Sequence, residues 1–183
     1  KQTIVKSIKK LHNNGHIAFE PEFTQEIKDS LASKVGHFIC YDAVFSESIS
    51  TPVRPVFNAS RNTPGGTNLN DCLYRGTPEM TNVVGVLVDW TMDLYSMVGD
   101  IGLFYNAYLL DIRDLPYQKI LYKEDLIKEN KTILGVILTL IYGVRAVAAQ
   151  SEAGIEKLCK EIEVDFPHVA ELLRKRRYVD DLA

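Results

Sequence analysis

The sequence predicts an α+β protein in which a small antiparallel sheet is packed by helices, and three observations lead there. Apolar residues at helical spacing fall near both ends of the chain and in its middle. β-rich runs fall in two blocks, residues 37–60 and 98–142, instead of alternating regularly with helices. The 183 residues, 46% hydrophobic and 25% charged, give enough chain for a core and match an ordinary globular domain, which excludes disordered, collagen-like and low-complexity classes.

Taken in order, Ile4, Val5, Ile8 and Leu11 mark a short amphipathic helix over 2–13, closed by Asn14-Gly15. Phe23, Ile27, Leu31 and Val35 repeat every four residues between Pro21 and Gly36 and predict a second helix. The runs HFICYDAVF and PVRPVFNAS flank the polar SESIST and read as a hairpin with a long turn; Pro52 and Pro55 make at least one of its strands an edge. Residues 61–76 are loop-like around Pro64-Gly65-Gly66. Thr77 is a good N-cap with Pro78 in the first helical position, and Val83, Leu87, Trp90, Leu94 and Met97 form a stripe that predicts one long helix over 78–97 with a buried face. Strands are expected near 98–105, 117–123 and 132–142, then helices over about 145–162 and from Pro167.

Several classes are disfavoured. Lys and Arg total 21 against 24 Asp and Glu, a net charge of −3, so a nucleic-acid partner would have to be held by local patches. Cys40, Cys72 and Cys159 fit no zinc spacing and cannot all pair, which points to buried thiols in a reduced, intracellular chain. The longest apolar stretch, Ile133–Tyr142, is well short of a membrane span, so no membrane partner is expected. The sequons at Asn58 and Asn130 read as accidental, and an initial Lys instead of Met suggests a piece of a longer product.

The chemistry concentrates at the last residues. Adjacent side chains on a strand diverge, so Asp180 and Asp181 serve one ligand only where the chain turns. Asp100 stands in the apolar stretch Gly99–Tyr105, where a buried strand charge requires a partner or a metal. If the two segments are neighbours, three carboxylates meet, and hard oxygen donors of that kind suit Mg²⁺. The run Arg174–Arg177 reads mainly as a solvated helix end, with phosphate contact as the other reading.

Tyr178-Val-Asp-Asp181 resembles the active-site box of reverse transcriptases, and the order of the other elements is similar to the Bel-Pao group of long-terminal-repeat retrotransposons. Thr51–Ser60, Gly65–Asp71 and Leu73–Gly76 resemble that group's fingers signature, Gly99–Tyr105 its first palm aspartate motif, Gln118–Leu121 the following strand, and Leu140–Gly143 its glycine turn. The likeness covers residues 37–183.

The resemblance implies reverse-transcriptase-like fingers and palm: an N-terminal helical segment at 1–36, a fingers-like hairpin, loop and helix at 37–97, and a palm-like region at 98–183. It implies an RNA-directed DNA polymerase that adds dNMP to a primer 3′-hydroxyl by two-metal catalysis within a Pol polyprotein, the isolated fragment being inactive. Asp100, Asp180 and Asp181 would be catalytic and, with the carbonyl of Ile101, would hold two Mg²⁺ ions, with Mn²⁺ as a substitute. Tyr105 would be the aromatic gate beneath the sugar, Arg54 would reach the triphosphate, and Gly143 would let the backbone pass close to nucleotide or template. The implied partners are an RNA or DNA template-primer, dNTP and the rest of the polyprotein. The implied location is the cytoplasm, with a virus-like particle or the nucleus as alternatives.

Three features depart from the family pattern. Gly143 is followed by Val-Arg-Ala-Val-Ala148 where a Ser-Pro type sequence is usual, Cys40-Tyr41-Asp42 replaces a Pro-His pair, and only two residues follow Asp181, too few by length for a return strand. The competing reading is a decayed or domesticated retroelement fragment that binds nucleic acid or protein without catalysis.

Overall fold

The computed structural model describes residues 2–32, 35–45, 47, 53–77, 81–92, 94–95, 97–124 and 131–182. Its architecture is α+β, with small antiparallel sheets and helices, divided into two compact units that interleave along the chain. The first comprises Lys1–Leu73 with Leu109–Val144, the second Tyr74–Tyr108 with Arg145–Ala183. Thr51, Pro52, Pro78 and Asn130 lie outside the described residues, as does most of the expected hairpin turn.

In the first unit, helix α1 (Gln2–Asn13) turns its apolar stripe inward, leaving Ile8 fully buried, and ends where Gly15 takes the left-handed conformation. Strand β1 (Ile17–Phe19) follows, and Thr24 caps α2 (Gln25–Leu31) by accepting a hydrogen bond from the Ile27 N–H. The hairpin forms as expected: β2 (Cys40–Phe45) pairs antiparallel with β3 (Val53–Asn58), with Arg54 opposite Val44. In a two-stranded sheet both strands are edges, so the missing N–H of Pro55 is tolerated. A one-turn helix, α3 (Leu69–Cys72), is capped by the side chain of Asn68, which accepts from Asp71 N–H.

The second sheet of this unit has the order β1, β6 (Ile133–Ile137), β5 (Lys119–Tyr122), all antiparallel. Strand β6 is central, and Gly135, Val136 and Ile137 are buried in succession. Such a strand is covered on both faces and reads as a continuous apolar run. Ile8, Ile17, Phe57, Ile120 and Ile137 pack together in one core cluster, where Phe19 stacks on Tyr122 with centroids 4.6 Å apart. Phe23, Ile27, Leu115 and Val136 form a second cluster. Each such side chain contributes about 1.5–3 kcal/mol by leaving water.

The second unit contains α4 (Val83–Met92), α5 (Val147–Ile162) and α6 (Pro167–Lys175), with a three-stranded sheet ordered β4 (Gly99–Asp100), β8 (Asp181–Leu182), β7 (Arg177–Tyr178). Helix α5 buries Val147, Ser151, Ile155 and Cys159, one residue per turn, and packs on α6, where the Cys159 thiol donates to the Ala170 carbonyl.

Several expectations are corrected here. The segment 98–105 is a strand only at Gly99–Asp100; beyond it Leu103 has positive φ and Tyr105–Ala107 form a 3-10 turn. A 3-10 helix over Ile112–Gln118 precedes β5, so that strand starts at Lys119. Helix α4 starts at Val83, with Asn82 rather than Thr77 capping it through its side-chain oxygen to the Val84 N–H. Its expected stripe is not a buried face: Val86 is buried, whereas Leu87 is 52% exposed, and Leu94 and Met97 beyond the helix are more exposed still. The sequence VVGVLVDWTM is apolar nearly all round, so periodicity does not single out a side. Cys40 and Cys72 are exposed, and only Cys159 is a buried thiol. No helix among the described residues is long and apolar enough to cross a membrane.

Candidate active site

The expected carboxylate motifs converge on the small sheet of the second unit. Tyr178 and Asp181 face each other across the β7–β8 hairpin, joined by the two-residue loop Val179-Asp180. Val179 has φ 59 and Asp180 is not among the positive-φ residues, the φ signature of a type II′ turn. Glycine is favoured at that first position, so a β-branched valine there carries strain of order 1–3 kcal/mol. Contrary to the length argument, the return strand exists: Asp181–Leu182 is short, but it pairs on both sides, with β7 and with β4. Two ladders stabilise what one short hairpin would not.

The register sets Asp100 directly opposite Asp181 and Gly99 opposite Leu182. The Ile101 N–H donates to the Asp180 carbonyl at 2.8 Å. A bond from the residue after Asp100 to the residue before Asp181 makes those two a non-hydrogen-bonded pair, the antiparallel arrangement that brings side chains closest. Both carboxylates therefore stand on one face of the sheet, where like charges directly opposite destabilise it. Both are exposed, so Asp100 is not the buried strand charge that the sequence suggested. Neither makes an ion pair with a described residue. Asp180 is half-buried in the turn.

Tyr105 is buried beside this turn and stands 5.4 Å from Phe104, ring to ring. Burial, with smaller contributions from the Asp180 and Glu152 carboxylates, pushes its hydroxyl above the ordinary tyrosine range, while Arg177 acts the other way. It sits in the 3-10 turn and not at a strand end. Asp100, Ile101, Tyr105, Asp180 and Asp181 thus belong to one unit, whereas Arg54 and Gly143 belong to the other. Arg54 is exposed on β3. Gly143 has φ 97, and a Cβ there would stand 2.2 Å from the Phe57 carbonyl oxygen, so the close backbone approach that this glycine permits is to β3.

Two contributors were not foreseen. Asn70 donates to the Gly143 carbonyl at 2.9 Å and to the Ser60 hydroxyl at 2.8 Å, tying α3 to the glycine turn. Arg177 is 2% exposed and forms a fork with both carboxylate oxygens of Glu152. The sequence signal for it was the odd cation directly before Tyr178, hidden in a run that reads as a solvated helix end. That run is engaged within the chain: Arg174 pairs with Glu156 and Glu163, and Lys175 with Glu171.

Among the described residues, no group of three or more His, Cys, Asp and Glu side chains is arranged to hold a metal ion. The structure brings two of the three aspartates into register, because neighbouring residues such as Asp180 and Asp181 point apart. A facing carboxylate pair still fits Mg²⁺ chemistry, since that ion is usually held by one or two carboxylates, water and substrate phosphates. Comparison with models of protein families gives no match, and comparison with curated proteins gives none.

Proposed function

We propose that the chain is the fingers and palm portion of a Bel-Pao-like reverse transcriptase, acting on a template-primer and dNTP. The observation that carries this reading is the pairing of Asp100 with Asp181 across β4 and β8. Two motifs some 80 residues apart, each weak alone, supply like charges to the closest kind of cross-strand position, an arrangement costly to the fold without a ligand. Bound Mg²⁺ would neutralise that pair and polarise a phosphoryl oxygen. Asp100 and Asp181 would hold it, with Asp180 and the Ile101 carbonyl as further donors. Tyr105, in the same unit as the aspartates, would support the incoming sugar.

The reading is tested by primer extension on an RNA template with the longer polymerase that contains this chain. Asp100→Asn and Asp180→Asn should each lower the rate by at least ~100-fold. Extension at the unmodified rate by either variant would refute it. A second reading, a non-catalytic retroelement fragment that binds a partner, is favoured by the exposed apolar side chains of α4, among them Val84, Val88 and Met92.

A further inference from the structure

Arg177 is the buried charge of the described residues, and its guanidinium joins three elements. It donates to both oxygens of Glu152 on α5, to the Leu173 carbonyl on α6, and to the Val179 carbonyl in the turn. The face of the Phe104 ring lies 5.6 Å away. A buried arginine–carboxylate pair is seldom retained for stability alone, because well-packed apolar replacements are often neutral or better. What an apolar side chain could not supply is a donor to the Val179 carbonyl. Val179 holds a left-handed conformation, which a β-branched residue keeps only where its surroundings over-determine it.

We infer that Arg177, oriented by Glu152, is a positioning residue: it fixes the Val179-Asp180 turn and so sets Asp181 against Asp100. Arginine suits the task better than lysine, since its rigid fork can bind a carboxylate and a carbonyl at once. The geometry stands on its own, whereas the consequence for metal binding rests on the polymerase reading. Arg177 acts through the turn and touches no reacting group.

The test uses the 183-residue chain and two variants, Arg177→Lys and the doubly apolar Arg177→Met with Glu152→Leu. The first readout is hydrogen exchange of the Ile101 amide, which is held by the Asp180 carbonyl. Each folded variant should exchange that amide at least about tenfold faster, while α5 amides keep their protection. The second readout is Mn²⁺ affinity by electron paramagnetic resonance, expected to fall by about tenfold, the scale on which residues that orient ligands act. Unchanged Ile101 protection in a folded variant would overturn the proposal. In the unmodified chain, Arg177 guanidinium protons should exchange about as slowly as the Ile101 amide, and rapid exchange there would overturn it even if neither variant folds. If the unmodified chain binds no Mn²⁺, the polymerase reading falls, and amide exchange still decides the positioning role.

Discussion

Replacing Gly143 by alanine perturbs a point where three constraints meet. The backbone is left-handed at φ 97, a Cβ would stand 2.2 Å from the Phe57 carbonyl oxygen, and the Gly143 carbonyl accepts the Asn70 amide at 2.9 Å. Left-handed backbone costs a non-glycine residue ~1–2 kcal/mol. Moving the turn by about 1 Å to relieve the overlap breaks the Asn70 bond, at ~0.5–1.5 kcal/mol. Gly143→Ala should therefore destabilise by roughly 1.5–3.5 kcal/mol, a sizeable share of the ~5–15 kcal/mol typical of a domain. Urea unfolding followed by far-ultraviolet circular dichroism measures it. Asn70→Ala alone should cost about 1 kcal/mol, and the double variant less than the sum, because the first change has already broken the bond. A Gly143→Ala chain within about 0.5 kcal/mol of the original would refute the reasoning.

Other expectations follow from the same structure. Val179→Gly relieves left-handed strain but gains freedom in the unfolded chain, so stability should rise by about 0.5–1 kcal/mol, read as a higher urea midpoint; a fall would contradict the strain at φ 59. Hydrogen bonds from Arg113 hold the Asp111 carboxyl at about 2. A carboxyl lowered on folding stabilises above its unfolded value, about 3.9, and that contribution is lost as pH falls toward 2. Asp111→Asn should thus narrow its stability difference from the parent between about pH 5 and pH 2, and a constant difference would sink the assignment. Burial lowers the pKa of His16. The neutral ring is then favoured in the fold, so stability from this source is present above about 6.5 and declines below it, which His16→Gln should abolish in urea titrations at pH 7 and pH 5.

Elements with strong one-sided periodicity were legible in the sequence. Helix α5 buries Val147, Ser151, Ile155 and Cys159 along one line, and the hairpin Cys40–Asn58 carries β-rich runs on both sides of a polar break. The turn at Gly143, expected from the resemblance, does take a positive φ, but the backbone it lets close by is that of β3. Helix α4 was misread because an apolar sequence on every side carries no phase. The stretch Gly99–Tyr105 misled because apolar content alone does not distinguish a strand from a turn in which Leu103 takes a positive φ in the open and Phe104 and Tyr105 are buried. Strand β1 and the pair β7–β8 are two or three residues long, too short for any period, and exist through partners far along the chain. In the candidate site, the aspartates and Tyr105 were readable as residue types in motif order. Arg177 was not, because its role depends on Glu152, which lies 25 residues earlier on helix α5.

The interleaving of the two units has a consequence for how the chain reaches its fold. The first unit cannot close its three-stranded sheet until β6 has been made, since Ile17 pairs with Ile137. By then residues 74–108, which belong to the second unit, have already emerged and must wait for α5 and α6. Long-range pairing of this kind slows folding, because loop closure precedes the contacts that reward it. Neither unit is a contiguous piece of chain, so no single cut releases one whole unit free of the other. A shortened chain meant to isolate Asp100 with Asp180 and Asp181 would have to lose residues 1–73 and also bridge residues 108 and 145 with a new linker, an internal excision that truncation alone does not achieve.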